Sequence, residues 1–236
     1  MKTRISLICG AGEIGTALKE VLEKKYRVVI KDKEPLELEE SIQVDVLHIA
    51  IPYTKSFEKI VHDYQIQYKP KYTVIHSTVP MGTCKRLGAY DSPVRGVHPH
   101  LAKSLTTFVK YLAPQSQYLK RYFETAGIKI KLVKDSKTTE ALKLWCTTLY
   151  GINVIAEKEM YAFCKKYGVD FNTVYTDTNL TYNQGYKELG FPQYQKYVLK
   201  HMNGGLGGHC ILPNAHILKK ISPIARFILK ENERYK

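Results

Sequence analysis

Short apolar runs alternate with amphipathic stretches over the first half of the chain. "RISLIC" (Arg4–Cys9) reads as a buried strand, and helix-like sequence follows to about Lys25. "RVVIKD" (Arg27–Asp32), "VLHIAIP" (Val46–Pro52) and "YTVIHSTVP" (Tyr72–Pro80) read as the next three strands. A helix is expected over Ser56–Tyr68, between the third and the fourth. "VRGVHP" (Val94–Pro99) is expected as a short fifth strand, Tyr118–Gly127 as a helix, and "IKIKLV" (Ile128–Val133) as a sixth strand. Strands alternating with helices predict an α/β fold, a doubly wound parallel sheet covered on both faces. After Val133 the period becomes helical. Thr138–Gly168 is one long helical pattern with Gly168 as its stop, Asp170–Leu180 reads as another helix, and a helix-like segment closes the chain. The expected organisation is a sheet domain over 1–133 and a smaller all-helical domain over 134–236.

Composition narrows the class. The 236 residues are 44% hydrophobic and 25% charged, as in ordinary globular proteins. No apolar run reaches the roughly 18 residues that a membrane span needs. The opening "MKTRISLICGAGEIG" carries basic residues and an apolar run too short for a signal peptide, so a cytoplasmic protein with no membrane partner is expected. Cys9, Cys84, Cys146, Cys164 and Cys210 are odd in number, widely spaced and without a CxxC pair. That excludes a disulfide framework and gives no zinc signature. "HPH" (His98–His100) and "HC" (His209–Cys210) lack metal-ligand spacing, and no metal is expected. The net charge of +14 raises the question of nucleic acid, but the basic residues are scattered. A basic surface also suits an anionic small-molecule substrate, which is the expected partner.

"GAGEIG" (Gly10–Gly15) follows the first strand and opens a helix, matching G-x-G-x-x-G. Gly10 would permit the tight turn and Gly12 the approach of a pyrophosphate. Gly15 would let helix pack on strand. Glu13 and Ile14 complete the motif, and the helix N-terminus offers amide hydrogens to the phosphates. Asp32 closes the second strand about twenty residues on, where a carboxylate binds ribose hydroxyls and repels a 2′-phosphate. The expected cofactor is therefore NAD, with Lys31 and Lys33 softening the preference. The alternative is a tight strand-to-helix turn with no ligand.

"IAIP" (Ile49–Pro52) and "STVPMGTC" (Ser77–Cys84) end the third and fourth strands, so Pro52 and Thr78 are expected near the nicotinamide. Lys143 is the one charged residue between Ala141 and Ala156, in a helix that reads as apolar on nearly all faces and hence buried. It either snorkels to the surface or serves as a base or oxyanion partner, with Thr147 one turn on. "NGGLGGHC" (Asn203–Cys210) spends four glycines ahead of one thiol. Such a run is a flexible linker or a place of close backbone approach. Cys210 is either a nucleophile or an inert buried cysteine.

Taken in order, "GAGEIG", "IAIP", "STVPMGT", "TEALKLW…NVIAEKE" and "GGHCI" resemble the nucleotide-sugar dehydrogenases of the UDP-glucose/GDP-mannose type, from about Ile5 to Pro213. The resemblance implies a Rossmann-type NAD domain followed by a helical domain that mediates dimerisation. It implies two successive oxidations of a sugar alcohol to a carboxylate. Cys210 would capture the aldehyde as a thiohemiacetal, Lys143 would stabilise the oxyanion, and Gly207, Gly208 and His209 would line the substrate. A homodimer and a nucleotide-sugar substrate are the implied partners. Three departures stand out. The family's asparagine four residues after the lysine is Thr147, its aspartate four residues after the cysteine is Asn214, and its further Rossmann-like domain has no counterpart here. Two other readings stay open: a two-electron dehydrogenase like the β-hydroxyacid and phosphogluconate enzymes, and a non-catalytic NAD-binding protein.

Overall fold

The computed structural model describes residues 3–97, 99–207 and 210–235. The chain divides into two compact units, 1–143 and 144–236. In the first, β1 (Thr3–Cys9), β2 (Val28–Lys31), β3 (Ile42–Ile49), β4 (Tyr72–Ile75) and β5 (Tyr90–Asp91) form a five-stranded sheet in the order β2-β1-β3-β4-β5, and all its pairings are parallel. The helices are α1 (Glu13–Leu22), α2 (Phe57–Tyr68), α3 (Thr83–Arg86), α4 (Leu101–Thr107) and α5 (Gln117–Thr125). Alternating side chains bury both faces of the sheet. Ile8, Val46 and Val74 pack on one side against Leu18 of α1, Leu105 of α4 and Phe123 of α5. Leu7, Leu47, Ile49 and Ile75 pack on the other against Phe57 and Val61 of α2. This is the doubly wound, Rossmann-like architecture the pattern predicts.

The pairing of β1 with β3 slips once. Ile5 faces Val44, but Ser6 faces Val46, so Asp45 is an extra residue on β3. Beyond the bulge every later residue of β3 changes face relative to an unbroken strand, which puts Val44 and Leu47 in one core layer.

Two expected strands are corrected. The fifth strand is Tyr90–Asp91, not Val94–Pro99; residues 92–97 lie outside regular structure, and His98 falls outside the described residues. Pro93 has no amide to give a ladder. The carbonyls of Ser92, Pro93 and Val94 are taken instead by lysine side chains. The sixth strand, β7 (Ile130–Leu132), does not join the main sheet. It pairs in parallel with β6 (Lys110–Leu112), a strand not expected from the hydrophobic pattern.

A polar chain runs through the first unit. The Ser92 carbonyl can only accept, so His76 Nδ1 donates to it at 2.8 Å. That fixes every other role. His76 Nε2 accepts from His48 Nδ1 (2.9 Å), His48 Nε2 accepts from the Tyr122 hydroxyl (3.0 Å), and Tyr122 accepts from Ser6 Oγ (2.7 Å). Both imidazoles are neutral. Burial pulls His48 down from 6.5 to about 3 and His76 well below its ordinary value, with Lys110 adding to both effects. Below pH 6.5 the unfolded chain protonates these imidazoles while the fold does not. The unfolded state then holds more protons, and stability falls as pH falls through that window. Asp91, pushed up to about 7 by burial, acts in the opposite sense, since the fold keeps its proton where the unfolded carboxyl has lost it. Two imidazoles outweigh one carboxyl. The urea midpoint should therefore drop between pH 7 and 5, and His48→Gln should flatten that slope. A midpoint independent of pH would contradict the neutral pair.

α6 (Ser136–Tyr167) begins in the first unit and continues through the second, ending at Gly168 with φ +66°. In the second unit a π-helical turn (Asn172–Asp177) leads into α7 (Thr178–Glu188), and α8 (Ile211–Leu218) and α9 (Pro223–Asn232) follow. Among its described residues the regular elements are all helical. α6 is not buried all round. Leu144, Thr148, Gly151 and Ile155 form its inner face, while Trp145 and Leu149 are 46% and 54% exposed. The apolar residues outnumber what one stripe can bury, so the surplus faces outward. Among the described residues no helix is long and apolar enough to cross a membrane.

Candidate functional site

The β1–α1 turn is built from the three motif glycines. Gly10 has φ +109°, and a Cβ there would stand 2.5 Å from the Ala50 carbonyl oxygen. A Cβ on Gly15 would stand 1.8 Å from the Gly10 oxygen, so helix and turn touch backbone to backbone. Gly12 is different. It heads α1 in an extended conformation and is exposed, and a Cβ there would meet nothing within 4 Å. The open side of Gly12 is where a pyrophosphate fits. Glu13 is exposed in the first turn, and Ile14 packs into the core. Asp32 directly follows β2, and its Oδ1 accepts from the Ala11 amide at 3.3 Å. Lys31 precedes this carboxylate at the end of β2. Its ammonium donates to the carbonyls of Asp32 and Glu34 (2.8 and 3.0 Å). These residues fit a nicotinamide dinucleotide.

The strand-end loops are tied together. Ser77 Oγ donates to the Ile51 carbonyl at 2.6 Å, joining the ends of β3 and β4 beside exposed Pro52 and half-buried Thr78. Glu140, 2% exposed on α6, accepts from the amides of Gly82 and Cys84 at 2.5 and 2.8 Å. It thus fixes the loop after β4 to the helical turn that carries Lys143. Sequence reasoning passed over Glu140. The signal was a carboxylate three residues before the lysine, at the point where the polar start of α6 gives way to apolar sequence. Lys143 is half-buried and donates to the Val94 carbonyl at 2.7 Å. Beneath it lies a buried group that sequence also missed: Asp91, Lys110, His48 and His76. Burial pushes Asp91 up to about 7 and pulls Lys110 down to about 7. One carboxylate oxygen of Asp91 has no hydrogen-bond partner among the described residues.

In the second unit Cys210 caps the N-terminus of α8 and is part-exposed, free of any disulfide. Asn214, one turn on, is 4% exposed, and its Nδ2 donates to Thr147 Oγ1 at 2.8 Å. Thr147 in turn donates to the Leu144 carbonyl. The two departures from the resembled motif are therefore partners of each other. The glycine run is anchored. Gly204 is left-handed (φ +82°), Gly205 lies against Asn232, and the Leu206 amide donates to Asn232 Oδ1 at 2.5 Å. Gly207 has no neighbour within 4 Å of a Cβ position, so nothing within the fold demands glycine there. Gly208 and His209 lie outside the described residues. Among those described, no cluster of His, Cys, Asp or Glu suits a metal ion.

No family model matches the chain, and no curated protein matches it in sequence. Solved structures match in fold. UDP-D-ManNAc dehydrogenase from Pyrococcus horikoshii superposes with a TM-score of 0.74 at 17% identity, over 99% of this chain and 69% of that one. The 3-hydroxyisobutyrate dehydrogenase of Mycobacterium tuberculosis, solved with L-serine, has a TM-score of 0.70 at 14% identity, over 100% and 94%. Psf3, solved with NADP+ and 2-OPP, has a TM-score of 0.57 at 15% identity, over 98% and 93%. The fold is that of Rossmann-like dehydrogenases of the nucleotide-sugar and hydroxyisobutyrate types.

Proposed function

We propose that the chain is an NAD-dependent dehydrogenase that oxidises a CH–OH group of an anionic small molecule, a nucleotide sugar in the first instance. Residues 1–133 serve as the NAD domain and 134–236 as the helical substrate and dimerisation domain. The observation that carries the reading is the β1–α1 turn: an open Gly12 at the head of α1 with the Asp32 carboxylate beside the Ala11 amide. The exposed apolar face of α6 supports a second copy as partner.

NAD, when bound, supplies the hydride acceptor. This chain's residues do the rest. Lys143 stabilises the oxyanion as the alcohol becomes an aldehyde. The Cys210 thiol adds to the aldehyde carbon, forming a C–S bond and a thiohemiacetal. Loss of a second hydride leaves a thioester, and water cleaves it, releasing the carboxylic acid and restoring the thiol. In sum the alcohol and one water yield the acid, two NADH and two protons. Asn214 cannot accept a proton, so its bond to Thr147 is read as orienting the start of α8.

A second reading is a two-electron hydroxyacid dehydrogenase. It is favoured by the superposition of the hydroxyisobutyrate enzyme over 100% of this chain with a TM-score of 0.70. Counting NADH per substrate over a panel of nucleotide sugars and small hydroxyacids separates them. Two NADH per nucleotide sugar is the expected result. One NADH on a hydroxyacid establishes the second reading. NAD binding without turnover on any member removes both.

A further inference from the structure

Towards the amino-terminal ends of β1, β2 and β3 a cleft of about 150 Å³ opens in the first unit. It lies where the pairing of β1 with β3 slips. Asp45, the extra residue on β3, lines the cleft and is only 8% exposed. Tyr118 donates its hydroxyl proton to Asp45 Oδ2, and Oδ1 has no hydrogen-bond partner among the described residues. The polar groups inside are one-sided. With the roles that the Ser92 carbonyl fixes, the Tyr122 proton goes to His48 and the Ser6 proton to Tyr122. Tyr26 gives its proton to the Tyr122 carbonyl. Every hydroxyl proton of the cleft is committed, so the side chains inside present acceptors alone: the free Asp45 oxygen and the lone pairs of Ser6 and Tyr118. At the rim the sign reverses. Arg4 and Arg27 are exposed, and neither guanidinium makes a hydrogen bond or an ion pair among the described residues. A nearly buried carboxylate without a cation is costly, and two arginines without an acid stand beside it.

We propose that this cleft binds a small zwitterionic amino acid, its ammonium on Asp45 and its carboxylate on Arg4 and Arg27. An ammonium brings three donors and no acceptor, which is what an interior of acceptors requires, and the faces of Tyr26, Tyr118 and Tyr122 favour a cation. A carboxylate matches the planar fork of a guanidinium. The volume sets the size of the ligand. Pockets for drug-sized molecules run from roughly 300 Å³ upwards, so a cleft half as large takes a ligand of a few heavy atoms and excludes a nucleotide. The site is distinct from the dinucleotide turn. Arg4 and Gly10 stand at opposite ends of β1, roughly 20 Å apart along an extended strand.

The test is an amide NMR titration of the nitrogen-15-labelled full chain with glycine, β-alanine and γ-aminobutyrate, and with methylammonium and acetate as half-ligands. At least one amino acid should bind in the millimolar range or tighter, shifting the amides of Arg4, Ser6 and Asp45, and each half-ligand should bind at least about tenfold more weakly. Asp45→Asn keeps an oxygen for Tyr118 and removes the charge, so it should weaken binding at least about tenfold. Arg4→Gln combined with Arg27→Gln, at two exposed positions, should do the same in a protein of unchanged urea midpoint. Saturating NAD should leave the affinity as it was. Three results overturn the proposal: no binding by any of the amino acids, acetate binding as tightly as they do, or an affinity that the variants leave unmoved. Competition by NAD overturns it too, since the ligand would then sit at the β1–α1 turn. Should Asp45→Asn not fold, the arginine variant and the acetate comparison decide. No readout uses turnover, so a protein that fails to reduce NAD on every substrate defeats the dehydrogenase reading and leaves this measurement standing.

Discussion

Cys210→Ser should leave NAD binding unchanged and lower carboxylate formation from a nucleotide sugar by at least about 1000-fold. The argument starts from the thiol's place. Cys210 heads α8, where the first amides of the helix lack intrahelical partners. Serine fits the same volume and the same cap, so the fold has no reason to respond. A hydroxyl is a far weaker nucleophile than a thiol without a base to take its proton, and Asn214 is not a base. The first oxidation needs no covalent intermediate and survives. The readout is therefore a change in stoichiometry, from two NADH per sugar towards one, with aldehyde accumulating. Cys146→Ser, at an exposed position on α6, is the matched control and should change nothing. Equal yields from Cys210→Ser and wild type would remove the thiol from the mechanism and leave the two-electron reading.

What the sequence shows and hides follows from how local each signal is. Gly10, Gly12, Gly15 and Asp32 are legible because a strand, a tight turn and a helix place them within one supersecondary unit, and the structure keeps that unit. The end of α6 at Gly168 is legible for the same reason. The fifth strand is misread because Val94 and Val97 look like strand residues. What decides the matter is a lysine eighteen residues from the carbonyl it takes and another forty-nine from its own, which occupy the carbonyls that a ladder would use. Glu140 is hidden in a similar way: its two amide partners lie fifty-six and fifty-eight residues earlier. The Thr147–Asn214 bond is the clearest case. Each residue alone reads as a departure from the resembled motif, and their contact across sixty-seven residues is visible only in the fold.

Gly15→Ala and Gly12→Ala should fail in opposite ways, and together they decide whether the β1–α1 turn holds a cofactor. In a helix interior alanine is preferred to glycine by up to about 1 kcal/mol. At Gly15 that gain is overwhelmed, because a Cβ would sit 1.8 Å from the Gly10 carbonyl oxygen. The turn cannot yield to relieve it. The Gly10 amide is bound to the Lys31 carbonyl at 2.8 Å, and Gly10 itself leaves no room towards Ala50. Overpacking of this kind costs about 3 kcal/mol or more, so Gly15→Ala should unfold at markedly lower urea, and cofactor binding should go with the fold. Gly12→Ala meets no atom within 4 Å and needs no unusual φ, so its urea midpoint should stay within about 0.5 kcal/mol of wild type. Its Cβ would nevertheless occupy the open side of the turn where a pyrophosphate must lie against bare backbone. The expected result is a stable Gly12→Ala protein that has lost NAD binding by calorimetry. If that variant binds NAD as wild type does, the turn is only a corner of the fold, and the whole dehydrogenase reading falls with it.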